Sequence, residues 1–225
     1  MLARSIPLFP LPNVVLFPNV FLPLHVFEPR YRRMVADALA GDRLIGIVLL
    51  KPGWEPEYEG APAVYPVGCT GLITHAEPLD DGRYNIVLRG LDKFRIVEES
   101  EGPGYRRAQV DVLLETIAAD DRTPIRGQRR RLEALLTPAI EVGSDPVSCT
   151  VDHGRKKQDL TPLVPPSMAD EDLVHTLAQY LSLEPLERQA LLERDGVRAR
   201  AEALVALLEM KELTTAHAWK RPRAH

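Results

Sequence analysis

The 225-residue sequence contains only two cysteines, Cys69 and Cys149, too few for the disulfide framework of a small secreted domain. Proline interrupts every apolar stretch near the N-terminus, so no secretory leader is predicted. No run approaches the roughly 18 apolar residues that a membrane span requires. Positive charge is not in excess, because the sequence contains 28 Lys and Arg residues and 32 Asp and Glu residues. We therefore expect a cytoplasmic protein with no membrane partner, and not a basic protein that coats nucleic acid.

Motifs for catalysis are also lacking. The spacing that comes nearest to a Walker A motif, at 41–46 (GDRLIG), is followed by Ile and Val instead of Lys and Ser or Thr. Ser148, Cys149 and His153 are a candidate nucleophile and base, but neighbouring residues in a loop rarely converge into a triad. No spacing of His, Cys and carboxylates fits a zinc site. We predict no catalytic residue, no metal and no cofactor, and a small-molecule hydrolase is the alternative that stays open.

The first half of the chain, residues 1–118, has the apolar alternation that is typical of a β-rich domain. The first apolar run, at 6–12, contains three prolines, and because proline donates no hydrogen bond we expect this strand at a sheet edge. Strands are expected at 67–73, 84–96 and 108–114. A bulge or bend is predicted at 90–92, within the second of these strands. One early helix is predicted after Pro29, with a single apolar face formed by Tyr31, Met34, Val35, Ala38 and Leu39.

The second half, residues 119–225, has the period of amphipathic helices. Four such helices are predicted, and they must bury their apolar faces against one another or against the β half. Residues 143–168 are rich in Gly, Ser, Asp and Pro, which predicts a long mobile loop. The predicted fold class is therefore α+β, with a β domain at 1–118 and an α-helical bundle at 119–225.

Several motifs in the β half resemble, in order, the N-terminal substrate-binding domain of Lon proteases. They are 8–18 (LFPLPNVVLFP), 22–31 (LPLHVFEPRY), 88–96 (LRGLDKFRI) and 105–110 (YRRAQV). The resemblance implies a PUA-like β-barrel or twisted sheet with one early helix, followed by a helical bundle. It also implies a stand-alone relative that has neither the ATPase nor the Ser-Lys protease domain of Lon.

The same resemblance implies that the chain recognises unfolded or extended polypeptide, or a protein partner. We expect a cleft between the β half and the helical half to accept an apolar, poorly structured polypeptide segment. We place the binding surface at aromatic residues and at one arginine, namely Phe9, Phe17, Arg30, Trp54 and Tyr58. The last two aromatics lie in a Pro/Gly/Glu-rich connection at 51–62, and connections of this length are often functional. Packing back onto the barrel is the competing interpretation for Trp54 and Tyr58, and a structural role of the stretch 27–31 (FEPRY) is the competing interpretation for Arg30.

An RNA-binding PUA-like module is the alternative function. Basic clusters at 129–131 (RRR) and 155–157 (RKK) could contact phosphates. Neither cluster has interleaved aromatic residues on which bases could stack, and solvated basic surfaces have the same composition. Polypeptide binding is therefore the preferred prediction.

Overall fold

The computed structural model describes residues 4–57, 60–102, 104–136 and 167–219. Its elements confirm the predicted α+β class, with a six-stranded sheet and several helices. The strands are β1 (Arg4–Leu11), β2 (Phe21–Val26), β3 (Leu44–Leu49), β4 (Val67–Pro78), β5 (Tyr84–Glu101) and β6 (Arg106–Leu113). The helices are α1 (Pro29–Ala40), α2 (Arg122–Leu136), α3 (Asp170–Tyr180), α4 (Pro185–Leu192) and α5 (Gly196–Trp219). The loop predicted at 143–168 lies outside the described residues, apart from its last two.

The sheet has the strand order β2-β5-β4-β3-β1-β6, and β5 also pairs with β6. Five strands thus form a closed circuit of pairings, and β2 lies outside it with β5 as its one partner among the described strands. The length of β5, 18 residues, makes both arrangements possible. Its first half pairs with β2, and its second half pairs with β6.

Strand β1 is not the edge strand that its prolines predicted. Residues 4–7 pair with β6, whereas residues 8–11 pair with β3. Each half of β1 therefore has a ladder on one side only, and a proline in either half can turn its nitrogen to the side without a partner. The prediction was wrong because a strand that changes partners at its midpoint tolerates proline as an edge strand does.

The first helix, α1, covers one face of the sheet. The residues that it buries are four of the five predicted from helical spacing, and they pack against a cluster of strand residues that includes Ile45, Ile73 and Ile86. A second cluster, which includes Ile6 and Phe94, is formed by residues of β1, β3, β5 and β6. Strand β3 contributes to both clusters and is buried at every residue.

The bulge predicted at 90–92 is confirmed. Between the pair Cys69–Lys93 and the pair Gly71–Gly90, β5 uses one residue more than β4. The connection before β2 docks on this bulge, with the N–H of Gly90 donating to the carbonyl of Val20 at 2.9 Å. A Cβ on Gly90 would overlap the carbonyl oxygen of Phe17, and this is why glycine stands there.

The helices pack on the sheet through a shared core. One hydrophobic cluster contains Phe17 and Val67 from the β half together with Ile125, Leu173 and Leu204 from the helices. The division of the chain into domains at 118/119 stays a prediction, and the described residues on either side of it are joined by this cluster. None of the described helices has the length and apolar character to cross a membrane.

We predict that Gly90→Ala lowers the free energy of unfolding by about 1–3 kcal/mol, because the new methyl group overpacks the docked connection. Gly127→Ala is the matched control, since a Cβ there meets nothing within 4 Å, and alanine within a helix should add about 0.5–1 kcal/mol of stability. Urea denaturation measures both values. Equal effects of the two substitutions would contradict the close approach at the bulge.

Candidate functional site

A buried ionic network joins the helices to the sheet. The guanidinium of Arg200, on α5, is fully buried and donates two hydrogen bonds to the carboxylate of Glu115, at 2.9 and 2.6 Å. Lys93, on β5, lies 2.7 Å from the same carboxylate. It also donates to the carbonyl oxygens of Leu192 and Arg194, at 3.1 and 2.8 Å. The two cations of α5 and β5 thus share the carboxylate of Glu115, and carbonyls at and after the end of α4 accept further hydrogen bonds from them.

The carboxylate between these cations is ionised. Burial alone would raise the pKa of Glu115, but hydrogen bonds and charge from Arg200 and Lys93 hold it below its usual value. Backbone carbonyls accept further hydrogen bonds from Lys93 and Arg200, so both buried cations are surrounded by acceptors.

His175, on α3, is a neutral member of this network. Its Nε2 lies 2.7 Å from Nη1 of Arg200, and since a guanidinium can only donate, Nε2 accepts. Burial, and then the charge of Arg200, lower the pKa of His175 to about 3. The proton of the neutral ring is therefore on Nδ1.

A cleft of about 460 Å³ lies between the sheet and the helices. We expected a cleft in this place to accept an apolar polypeptide segment. Its walls are instead largely charged or polar, because the groups that tie the two halves together also line it. The charged or polar residues of the walls are Asn19, Asp92, Lys93, Glu115, Arg122, Glu171 and His175, and Lys93, Glu115 and His175 among them belong to the ionic network.

Two of the five predicted site residues lie together beside α1. The ring of Phe9 is buried and packs 4.4 Å from the ring of Tyr31, and the guanidinium of Arg30 lies 4.7 Å from the centre of the same ring. Arg30 also forms an ion pair with Glu28 at 3.0 Å. It lines a pocket of about 580 Å³ with Tyr31 and Tyr105. Arg30 is thus at the surface, whereas Phe9 is buried against the ring of Tyr31.

The other three predicted residues lie elsewhere. Phe17 is fully buried, with its ring 5.9 Å from the guanidinium of Arg200. Trp54 is half-buried and packs on the cluster formed by β1, β3, β5 and β6. Tyr58 lies outside the described residues. The structure does not bring Phe9, Phe17, Arg30 and Trp54 to one surface, and a contact between any of them and a partner stays a prediction.

Large exposed apolar side chains lie instead at the two ends of β2, with Phe21 as its first residue and Phe27 directly after its last. Alternate residues of this strand are exposed, and Phe21 and Phe27 have 51% and 60% of their surface in contact with solvent. His25 lies between them on the same side, with its ring stacked 6.3 Å from that of Phe27. The residues between pack under α1, so one face of β2 belongs to the core and the other is open.

The end of α3 extends this open face. Tyr180 is 57% exposed, and its hydroxyl donates to the carbonyl oxygen of Phe21 at 2.7 Å. Pro23, also exposed, has no N–H to offer at the free edge of the strand. We call Phe21, Pro23, His25, Phe27 and Tyr180 the β2 surface.

The polar member of the β2 surface is fixed in place. Nε2 of His25 lies 3.0 Å from Nη1 of Arg83 and accepts from it, so Nδ1 donates to Oδ1 of Asn85 at 2.8 Å. Asn85 in turn donates to Glu77 at 3.0 Å. These hydrogen bonds fix the side chain of His25, so the strand between Phe21 and Phe27 is preorganised.

Comparisons with known proteins identify the family. The model of the ATP-dependent protease La (LON) substrate-binding domain matches residues 5–210. The chain belongs to the Lon substrate-binding domain family. The resemblance inferred from motifs in the β half is thereby confirmed, and the match extends through the helices to include both the ionic network and the β2 surface.

Relatives of this Lon-type domain are full Lon proteases. The chain is 27% identical over 208 residues to Lon protease 2 of Myxococcus xanthus. This match covers 92% of the chain and 24% of that protein. The chain is 30% identical over 128 residues to Lon protease of Dictyoglomus thermophilum, covering 56% of the chain and 16% of that protein. The chain thus spans about a quarter of the length of the first of these relatives.

Two solved structures share the fold. The N-terminal domain of a Lon protease from the Mycobacterium avium complex has a TM-score of 0.63 at 16% identity, with 92% of this chain and 98% of that chain covered. A Lon N-terminal domain protein from Xanthomonas campestris has a TM-score of 0.56 at 23% identity, with 90% and 98% covered. At these identities the likeness establishes the architecture of the Lon-type domain.

Sequence reasoning missed the β2 surface for two reasons. The run 20–27 (VFLPLHVF) is apolar on both faces of the strand, so its alternation does not show which face is open. Tyr180 follows the apolar spacing of α3, which is typical of a buried position, but the helix ends at this residue and the ring is exposed.

We predict that stability falls as the pH is lowered from 6.5 towards 3, because the unfolded chain then binds a proton at His175 that the folded chain does not bind. This single site contributes up to about 1.4 kcal/mol per pH unit. His175→Gln keeps an acceptor for Arg200 and should remove that contribution.

Urea denaturation between about pH 7 and about pH 5 measures the slope. The matched control is His75→Gln at an exposed position, which should leave the slope as it is in the unaltered protein. An unchanged slope in His175→Gln would show that this ring is not held neutral.

Proposed function

We propose that this Lon-type domain is a non-catalytic module that recognises polypeptide, and that unfolded or extended apolar segments bind to its β2 surface. The observation that carries the proposal is the exposure of Phe21, at the start of β2, and of Phe27, directly after its end, with Tyr180 beside Phe21. Folded proteins rarely leave clustered aromatic rings in water unless the cluster contacts a partner. The family, a substrate-binding domain, supports a polypeptide as that partner.

The chemistry of the β2 surface favours side-chain contacts over backbone pairing. Strand addition needs free N–H and C=O groups along an edge, but Pro23 has no N–H and the hydroxyl of Tyr180 already bonds the carbonyl of Phe21. A bound segment would therefore lie across the aromatic rings. Such contacts depend on apolar area and little on sequence, as recognition of many unfolded substrates requires.

Several features support a role without catalysis. The charged residues of the interior are satisfied by one another and by backbone carbonyls. Cys69 is a buried free thiol, and burial raises its pKa, which disfavours the reactive thiolate. The candidate nucleophile and base at 148–153 lie outside the described residues. A reduced, inert thiol also agrees with the cytoplasmic location that we propose.

The test replaces both phenylalanines, as Phe21→Ser with Phe27→Ser, and measures binding to a permanently unfolded polypeptide such as reduced, carboxymethylated α-lactalbumin. Each ring is about half exposed, so its burial contributes about 1 kcal/mol. The double variant should therefore bind about 30-fold more weakly. Fluorescence anisotropy of the labelled polypeptide measures the dissociation constant.

The matched control is Val97→Ser with Leu114→Ser, which removes two apolar side chains that are 59% and 73% exposed and lie away from β2. This control should bind within about twofold of the unaltered chain. The proposal fails if the two double variants lose affinity equally, or if the unaltered chain does not bind the unfolded polypeptide.

A further inference from the structure

A row of arginines follows one face of α2. Arg122, Arg126, Arg129 and Arg130 stand at positions i, i+4, i+7 and i+8, the spacing of neighbours on a helix surface. All four line a cavity of about 570 Å³, together with Glu133 and with three residues at the start of α3, namely Met168, Ala169 and Asp170. We call these four arginines the arginine surface.

Only part of this positive charge is balanced. Arg129 forms ion pairs with Glu133 at 2.8 Å and with Asp170 at 3.0 Å. Arg126 reaches Asp170 only at 3.8 Å. Arg122 and Arg130 form no ion pair with any residue that the structure describes. Four positive charges therefore face two negative ones, in a chain whose net charge is −4.

The residues of the arginine surface have different roles. Arg129 also donates to the carbonyl oxygen of Met168, so it holds α2 against the start of α3. Arg122, Arg126 and Arg130 contribute little to this packing, because their side chains are largely in solvent. An uncompensated group of exposed guanidiniums, each able to grip a carboxylate with two parallel hydrogen bonds, fits an acidic partner.

We infer that the arginine surface binds an extended acidic segment of polypeptide, at a place separate from the β2 surface. Residues four apart on a helix rise by about 6 Å, and alternate side chains of an extended chain are about 6.6 Å apart. Carboxylates at alternate positions of a partner can thus reach Arg122, Arg126 and Arg130 in turn. No aromatic residue lines the cavity, so the stacking that single-stranded nucleic acid uses is missing among its described walls.

The experiment uses the full chain and a labelled peptide of alternating Glu and Ala. The test variant is Arg122→Gln/Arg126→Gln/Arg130→Gln, which leaves Arg129 in place. The control variant, Arg33→Gln/Arg95→Gln/Arg194→Gln, changes the net charge equally at exposed arginines on other elements. Circular dichroism establishes that both variants are folded.

The unaltered chain should bind the peptide, and more weakly at about 200 mM salt than at about 50 mM salt, because exposed charges are screened. The test variant should bind about tenfold more weakly, and the control variant within about twofold of the unaltered chain. The Phe21→Ser/Phe27→Ser variant should bind the acidic peptide normally, which separates this inference from the proposed function.

Two results would overturn the inference. Equal loss in both triple variants would show that net charge alone attracts the peptide. Tighter binding of an oligouridylate of equal charge than of the peptide, abolished by the test variant, would assign the arginine surface to nucleic acid.

Discussion

The packing of the helices on the sheet depends on the hydrogen bonds and ion pair of the buried Arg200 guanidinium. A charge removed from water is costly unless nearby groups replace the lost hydration. Arg200 meets this condition with the carboxylate of Glu115, the ring of His175, and the carbonyls of Leu191 and Leu192. Because these partners come from different elements, a displaced α5 would leave several of them unsatisfied at once. The network thus selects one arrangement of the helices.

This arrangement also creates the β2 surface. Tyr180 belongs to α3 and Phe21 to β2, so they lie side by side only while α3 is fixed on the sheet. Two further hydrogen bonds hold α3 on the β half. Gln179 accepts from the N–H of Phe17 at 3.2 Å, and Asp172 accepts from Asn19 at 2.9 Å. A preorganised aromatic surface loses little entropy on binding, which suits a module that must hold weakly structured chains.

The described structure thus has two chemically different faces available to a polypeptide. The β2 surface offers aromatic rings on a strand, and the arginine surface offers uncompensated charge on a helix. If both surfaces bind polypeptide as proposed, their separation would let one module discriminate by apolar and by acidic content independently. The cleft between the halves contains Lys93, Glu115 and His175, members of the ionic network that joins the helices to the sheet.

Local patterns in the sequence predicted the parts of the structure that local patterns determine. Helical spacing gave the buried face of α1, and the interruption at Gly90 gave the bulge in β5. The position of β1 was not predictable from its prolines, because its change of partner involves strands at both ends of the β half. Phe9 and Phe17 illustrate the same limit, since an aromatic residue in a proline-rich run gives no sign of being buried.

The ionic network was hidden from the sequence for a related reason. Arg200 and Glu115 are 85 residues apart, and one arginine among many on helices has no pattern that marks it as buried. The β2 surface depends in turn on where α3 ends relative to β2. Both features are set by tertiary packing between residues far apart in the chain, and no local sequence pattern reveals such packing.

The central claim is that polypeptide contacts the open face of β2, and mapping by nuclear magnetic resonance tests it most directly. Backbone and aromatic signals would be followed while a short, uncharged peptide rich in Leu and Phe is added to the labelled chain. If the peptide binds the β2 surface, the shifts will be concentrated at Phe21, His25, Phe27 and Tyr180, and the signals of His175 and its neighbours in the cleft will be unchanged. Shifts confined to the cleft, with those of β2 unmoved, would contradict it.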